Sequence, residues 1–372
     1  MKIRFEKRLN PSRNIQYLIP PISILVALGV GGLIMKLTGI EPLTAYKAML
    51  VGALGSSYSI SETLVKTTPL ILASLAICVA FRMRFWNIGV EGQIVVGGFF
   101  AGAVALYLPV LWESIPGPLL LFAMFIAGFL GGALWGFIPA ALRAYIGVNE
   151  ILTTLLMNYV AIMLVQYVYV GPWRDPHGWG FPGTPQFVEK AYLPHFPGMR
   201  VHLGLIIGLV AAVIIWFILS RTKWGYQIRI IGENIKAAKY GGINVIGSTI
   251  LVMVISGGLA GIAGMSEVSG IMHRLMDGLS AGNGYSAIIV AYIARLNPFA
   301  SILVSFLLAV LLVGGDQLQI TMGLPASFAS VLEGVILFLF LMGIIFENYS
   351  LRIERSKNHS GLLASQSDSQ PK

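Results

Sequence analysis

Long apolar runs recur along this chain with almost no charge to interrupt them, and that pattern leaves lipid as its main solvent. At a rise of about 1.5 Å per residue, roughly 18 to 25 residues cross a hydrocarbon core about 30 Å thick. Ten candidate spans can be marked: Leu18–Leu37, Leu64–Ala80, Phe85–Leu106, Pro118–Leu142, Ile151–Val170, Val201–Leu219, Ile246–Glu267, Tyr285–Leu296, Phe299–Gly315 and Pro325–Phe346. Charged residues are 11% of the chain and apolar residues 56%, with a mean hydropathy of +0.80. A water-soluble protein carries about a quarter charged residues. Backbone polar groups in lipid must be satisfied within a helix, so the expected fold is an all-α integral membrane bundle of about ten transmembrane helices.

Charge sets the expected orientation. With both termini cytoplasmic, the inner segments hold 18 of the 25 Lys and Arg residues, among them Lys2, Arg4, Lys7, Arg8, Arg82, Arg84, Arg143, Arg229, Lys236 and Lys239. The positive-inside rule favours that arrangement, and with it a multi-pass membrane protein with both termini cytoplasmic. The net charge of +9 then belongs to juxtamembrane residues and asks for no nucleic acid. Residues 1–17 read as a basic cytoplasmic N-terminus, 18–346 as the transmembrane domain, and 347–372, rich in Ser and Gln, as a disordered cytoplasmic tail. Leu18–Leu37 is too long for a signal-peptide core and reads as a retained helix. Cys78 is the only cysteine, and the five histidines lie far apart in sequence, so no metal site is expected.

Two segments outside the spans are long. Residues 171–200, with six prolines and many aromatics, are assigned outside as either a lid or a plain connector. Residues 221–245 are assigned inside. There Glu233–Gly241 has the composition of a short helix, and Asn234, Ala237, Ala238 and Gly241 would share one small-residue face. Such a face lets another surface approach closely, though a solvated loop helix would look the same.

Polar residues inside the spans point to transport. Phe85–Gln93, FWNIGVEGQ, carries Asn87, Glu91 and Gln93 into a membrane helix. Asn149, Thr153 and Asn158 can share a broad face of another, and Glu333 lies about eight residues into the last span. These are the candidate path residues, since intramembrane polar groups usually face a cavity or an interface. Glu91, near Arg82 and Arg84, and Glu150, beside Asn149, are also explained by ion pairing and helix-start electrostatics. Glu267 lies near a span boundary. Glycines at four-residue spacing, Gly128 with Gly132 and Gly136, Gly98 with Gly102, and Gly257 with Gly261, suit close helix packing. An offset of 133 residues superposes Gly128 on Gly261, Gly131 on Gly264, Thr153 on Ser286 and Tyr159 on Tyr292, a pattern an inverted repeat would leave and chance could also produce. No catalytic motif and no phosphate-binding Gly-rich loop is present, so any ATP must be hydrolysed by another chain.

Phe85–Gln93, the helix start Val148–Ile151 continuing to Tyr159, and Gly232–Asn244 together resemble the membrane subunits of bacterial ABC importers in the branched-chain amino acid, ribose and nucleoside permease group. The likeness covers roughly residues 60 to 350 and is nearest to nucleoside or simple-sugar permeases. It implies a vitamin-B12-importer-like bundle that binds no cofactor itself. It also implies a second permease subunit as heterodimer partner, an ATP-binding subunit holding ATP and Mg, and an extracytoplasmic substrate-binding lipoprotein. In that family scheme Gly232, Glu233, Asn234, Lys236, Ala237, Ala238, Lys239, Tyr240 and Gly241 form the segment that couples to the ATPase. Simple sugars, flavins and amino acids stay open as solutes, and an ion-coupled secondary transporter is the competing class.

Overall fold

The computed structural model describes residues 2–7, 13–178, 180–323, 325 and 327–354. They divide into two units, residues 1–40 with 334–372, and residues 41–333. In the first, strand β1 (Lys2–Lys7) pairs antiparallel with β2 (Tyr349–Glu354), Lys2 opposite Glu354, and helix α1 covers Arg13–Leu37. The expected all-α fold therefore gains a two-stranded ladder, and residues 349–354 of the expected disordered tail are a strand. The rest of that tail lies outside the described residues.

The second unit is helical. In chain order it holds α2 (Pro42–Leu54), α3 (Ser57–Arg82), α4 (Val90–Leu111), α5 (Gly117–Ala141), α6 (Glu150–Val170), α7 (Gly204–Arg221), α8 (Lys223–Glu233) and α9 (Ile235–Tyr240). It continues with α10 (Val245–Glu267), α11 (Asn283–Ile293), α12 (Pro298–Met322) and the start of α13 (Ser327–Asn348). Seven described helices, α3 to α7, α10 and α12, are long and apolar enough to cross a membrane. The expectation of ten is not met among the described residues. The expected span Tyr285–Leu296 is the 11-residue α11, about 16 Å long at 1.5 Å per residue, half of what a crossing needs. The spans expected at Leu18–Leu37 and Pro325–Phe346 fall on α1 and α13. At 13 residues α2 is too short to register as a span, and it packs through Gly52 on Gln317 and through Met49 on Gly314 of α12.

Helices α3 and α10 form the middle. Almost every residue of α3 from Thr67 to Phe81 is buried, as a helix apolar on all sides should be. The glycines expected to pack do so: a Cβ on Gly132 would lie 2.1 Å from the Gly257 carbonyl, and one on Gly136 2.6 Å from that of Met253. Rising numbers on α5 meet falling numbers on α10, so the two run antiparallel. Gly98 and Gly102 instead receive the side chains of Leu279 and Leu275.

Both α5 and α10 end in a five-residue π turn, Leu142–Ile146 and Val268–Met272, closed by left-handed residues, Gly147 (φ 78°) and His273 (φ 56°). A second helix then starts at Glu150 and at Asn283, positions separated by the same 133 residues seen in the sequence.

Candidate functional site

Two breaks in the helical framework meet in the bundle. The first is Met83–Gly89, between α3 and α4. Asn87 is fully buried there. Its Nδ2 donates to Gln93 Oε1 and to Ser256 Oγ, both at 3.0 Å, while its Oδ1 accepts from the Gly89 N–H and Gln93 Nε2, both at 3.1 Å. Ser256 donates onward to the Ala76 carbonyl at 2.8 Å. Both donors and the acceptor of the amide are used, so the turn is locked to α4, α10 and α3.

The second break is Arg274–Gly282, between the π turn after α10 and α11. Here Glu91, in the first turn of α4, reaches across. Its Oε1 accepts from Ser280 Oγ at 2.5 Å and the Gly282 N–H at 2.9 Å, and its Oε2 from the Gly284 N–H at 2.7 Å. The carboxylate thus satisfies N–H groups that α11 leaves open at its start and opposes the positive end of that helix. Gly284 must be glycine, because a Cβ would lie 2.4 Å from the Glu91 N. The expected pairing of Glu91 with Arg82 or Arg84 is replaced by this contact.

Helix α6 joins the two breaks. Asn158 Oδ1 accepts from the Gly92 N–H at 2.9 Å, and its Nδ2 donates to the Ile88 carbonyl at 2.9 Å and the Tyr285 hydroxyl at 3.1 Å. Thr154 Oγ1 accepts from the Ile88 N–H at 3.2 Å. Asn149 and Thr153 stand apart from this network. Asn149 is the exposed N-cap of α6, accepting from Ile151 and Leu152, and Thr153 donates to the Asn149 carbonyl at 2.8 Å. Glu150 ion-pairs with Arg143, whose guanidinium lies 5.3 Å from the centre of the Phe85 ring. Glu333 accepts from Ser286 on α11. Ser256, Ser280, Thr154 and Tyr285 were not singled out from sequence; the one legible signal was the Gly- and Ser-containing interruption Asp277–Gly284 between apolar runs.

The segment after α7 differs in detail from expectation. Glu233 ends α8 instead of opening a helix, and the extended Asn234 (φ −155°) separates α8 from α9. Asn234 Oδ1 caps α9, accepting from Lys236 at 2.9 Å and Ala237 at 3.1 Å. The four-residue small face is split, since Ala238 is fully buried while Asn234, Ala237 and Gly241 are exposed beside a Tyr240 that is 97% exposed. Gly232 sits against the end of α3, where a Cβ would lie 2.6 Å from the Arg82 carbonyl. A cavity of about 400 Å³ lies between this segment and Met83–Phe85, with Arg84, Arg143 and Lys239 in its wall.

At the other end of the bundle, the connection between α6 and α7 is stitched to the chain leaving α10. Leu193 N–H donates to Ser269 at 3.0 Å, Phe187 to His273 at 2.8 Å and Thr184 to Leu275 at 2.9 Å, each to a carbonyl. Three histidines distant in sequence gather there: the His195 ring lies 6.1 Å from that of His202 and 6.3 Å from that of His273. Burial first, then the neighbouring His195 and His273, pushes His202 from 6.5 down to about 4. A histidine held neutral stabilises this seam above its ordinary value. Between 6.5 and about 4 the opened state binds more protons, so stability falls as pH falls. Amide exchange at Phe187 and Leu193, corrected for intrinsic rates, is expected to show more frequent opening at pH 5 than at pH 7.5; equal opening would contradict the assignment.

A protein family described as a branched-chain amino acid transport system permease component matches residues 59–341. The chain belongs to this family. The match spans both breaks and α8–α9. The permease is also 31% identical over 363 residues to the glucose ABC transporter permease protein TsgB13 of Haloferax volcanii, covering 94% of each chain. It is 32% identical to the guanosine ABC transporter permease protein NupP of Bacillus subtilis, covering 91% of this chain and 96% of that one. A second guanosine permease protein of that organism, NupQ, is 27% identical over 66% of this chain and 78% of its own. The permease is thus a multi-pass membrane transport subunit. Among its described residues no group of three His, Cys, Asp or Glu side chains could hold a metal ion.

Proposed function

We propose that this permease is one of two membrane subunits of an ABC importer for nucleosides or related small polar solutes, with both termini cytoplasmic and a bundle of the vitamin-B12-importer type. The guanosine permeases NupP and NupQ, two matching chains in one organism, support the solute class and a heterodimeric partner. The equal spacing of the helix–π-turn–helix units, with α5 and α10 antiparallel, supports an inverted repeat. ATP and Mg belong to a separate ATP-binding subunit, and an extracytoplasmic lipoprotein delivers the solute. In this reading Asn87, Glu91, Gln93, Asn149, Thr153, Asn158 and Glu333 are path candidates. The first three and Asn158 act by holding the broken segments in place.

One observation carries the mechanism: Gly232, near the end of α8, packs on the end of α3 directly before the Asn87 turn, and Ala238 of α9 is buried. Movement of α9 by a docked ATPase is passed through Arg82–Met83 to Asn87 and so to α4 and α10. The exposed residues Ile235, Lys236, Ala237, Tyr240 and Gly241 make the docking face, with Lys239 beside them. Glucose is the second solute reading, on the likeness to TsgB13.

The test is purification of the tagged permease from its native membrane. An ATP-binding subunit is expected to co-purify and to be lost from the Ala237→Arg, Gly241→Arg variant, with ATP-driven guanosine uptake lost in parallel. Both positions are exposed, so the subunit itself should still fold. A permease that purifies alone and takes up solute with protons or sodium would refute the proposal.

A further inference from the structure

We propose that the broken segment ahead of α11, with the open face of that helix, forms the solute-contacting wall of the passage in this subunit, and that Asp277, Ala281, Tyr285, Tyr292 and Trp86 are its surface. The nucleoside class of the solute rests on the function proposed above; the wall itself does not.

Depth is the first argument. Leu275 and Leu279 lie against Gly102 and Gly98 of α4, and Gly98 is the ninth of the 22 residues of that helix. The chain thus descends from the seam, where Leu275 bonds to Thr184, to mid-bundle, where Ser280 and Gly282 hold Glu91 next to the Gly92–Asn158 bond, Asn158 being the ninth of the 21 residues of α6. Over this stretch Met276, Asp277, Gly278 and Ala281 are exposed, and Ala281 has φ 47°. Irregular backbone at such depth is tolerated only inside protein or beside water, and a carboxylate there needs a partner or hydration. The described hydrogen bond of the Asp277 carboxylate is to its own neighbour, the Gly278 N–H, at 2.9 Å. Beside an aqueous passage the carboxylate stays solvated.

The face of α11 is the second argument. Ser286, Ala287, Val290 and Ala291 are buried, while Tyr285, Ile288 and Tyr292, at i, i+3 and i+7, are accessible. Tyr285 is held by Asn158 through its hydroxyl yet leaves 38% of its surface open. Tyr292 stacks on Trp86 at 6.1 Å and 19°, and Phe81 meets both rings edge-on at 5.6 and 5.0 Å. From the seam end to the α8–α9 end the wall offers a carboxylate, a tyrosine and then a stacked aromatic pair. A solute with hydroxyl or amino donors and one planar ring meets each in turn, and a nucleoside has both parts. The Glu91 contact holds this wall without belonging to it.

The test uses the assembled transporter in membrane vesicles, with Ala281→Cys, Asp277→Cys and, as a control at an exposed apolar position of α5 away from its buried glycines, Leu130→Cys. The native Cys78 is fully buried and stays silent. The probe is a charged, membrane-impermeant methanethiosulfonate. Ala281→Cys and Asp277→Cys are expected to react at least about tenfold faster than Leu130→Cys, since the reagent needs water, and guanosine is expected to slow the reaction. Reaction no faster than at Leu130→Cys in a variant that still takes up solute would overturn the wall, as would a rate indifferent to the solute being transported. Fast reaction slowed by glucose, in vesicles that accumulate glucose and not guanosine, would support the wall and remove the nucleoside reading.

Discussion

Replacing Gly261 by valine is expected to leave no assembled permease in the membrane fraction. A Cβ at Gly261 would lie 2.0 Å from the Gly128 carbonyl oxygen and 3.1 Å from the Gly132 Cα. All of these are backbone atoms, so no side chain can rotate aside, and α5 and α10 would have to separate along their shared glycine face. Overpacking costs about 1–3 kcal/mol where side chains can adjust; here they cannot, and in lipid the close approach of backbones is itself a main source of helix association. Gly334→Ala, where no described residue lies within 4 Å of the added carbon, is the control and should accumulate at the parental level. Normal accumulation of Gly261→Val, measured by detergent extraction and size-exclusion chromatography, would contradict the packing.

The second large effect is expected at Glu91. Glu91→Ala leaves the Ser280 hydroxyl and the Gly282 and Gly284 N–H groups without their acceptor. Each buried group left unsatisfied costs about 1–3 kcal/mol, so the loop before α11 should come loose while the helices of the bundle remain. Uptake is expected to fall by at least about tenfold, the equivalent of roughly 1.4 kcal/mol, and hydrogen exchange to rise selectively over 277–285. Glu91→Gln presents an amide donor to one side of a donor cluster and should rescue only part of the loss. Full rescue by Gln would assign the role to shape and not to acceptor capacity. Parental uptake by Glu91→Ala would refute the latch.

Several site residues were visible in the chain because they break a pattern. Asn87, Glu91, Gln93 and Asn158 are polar residues in apolar runs, and such residues are retained in a membrane only with partners. Their partners were not visible. Asn87 meets Ser256 across 169 positions and Glu91 meets Gly284 across 193, and serine or glycine in an apolar helix is too common to mark a contact. The nearer cations Arg82 and Arg84 looked the natural partners for Glu91 and are not. Asn149 and Thr153 were drawn into the site by helical spacing alone, while the residue that reaches it is their neighbour Thr154. Asp277 was overlooked because it lies outside every apolar run, and only the fold packs that loop against Gly98 and Gly102 of α4.

The membrane class, the course of most spanning helices, the glycine packing faces and the presence of a short helix before Gly241 are properties of the sequence by itself. They follow from local hydrophobicity, small-residue spacing and capping, which act within a few turns of chain. Tertiary structure decided that α11 stops at half a span, that Ala238 turns inward, that three histidines share one seam, and which polar groups pair. The physical reason is the solvent. In lipid the packed and the lipid-facing sides of a helix are both apolar, so the periodicity that marks the inner face of a water-soluble helix is weak here. The burial of each face is settled only when the helices meet.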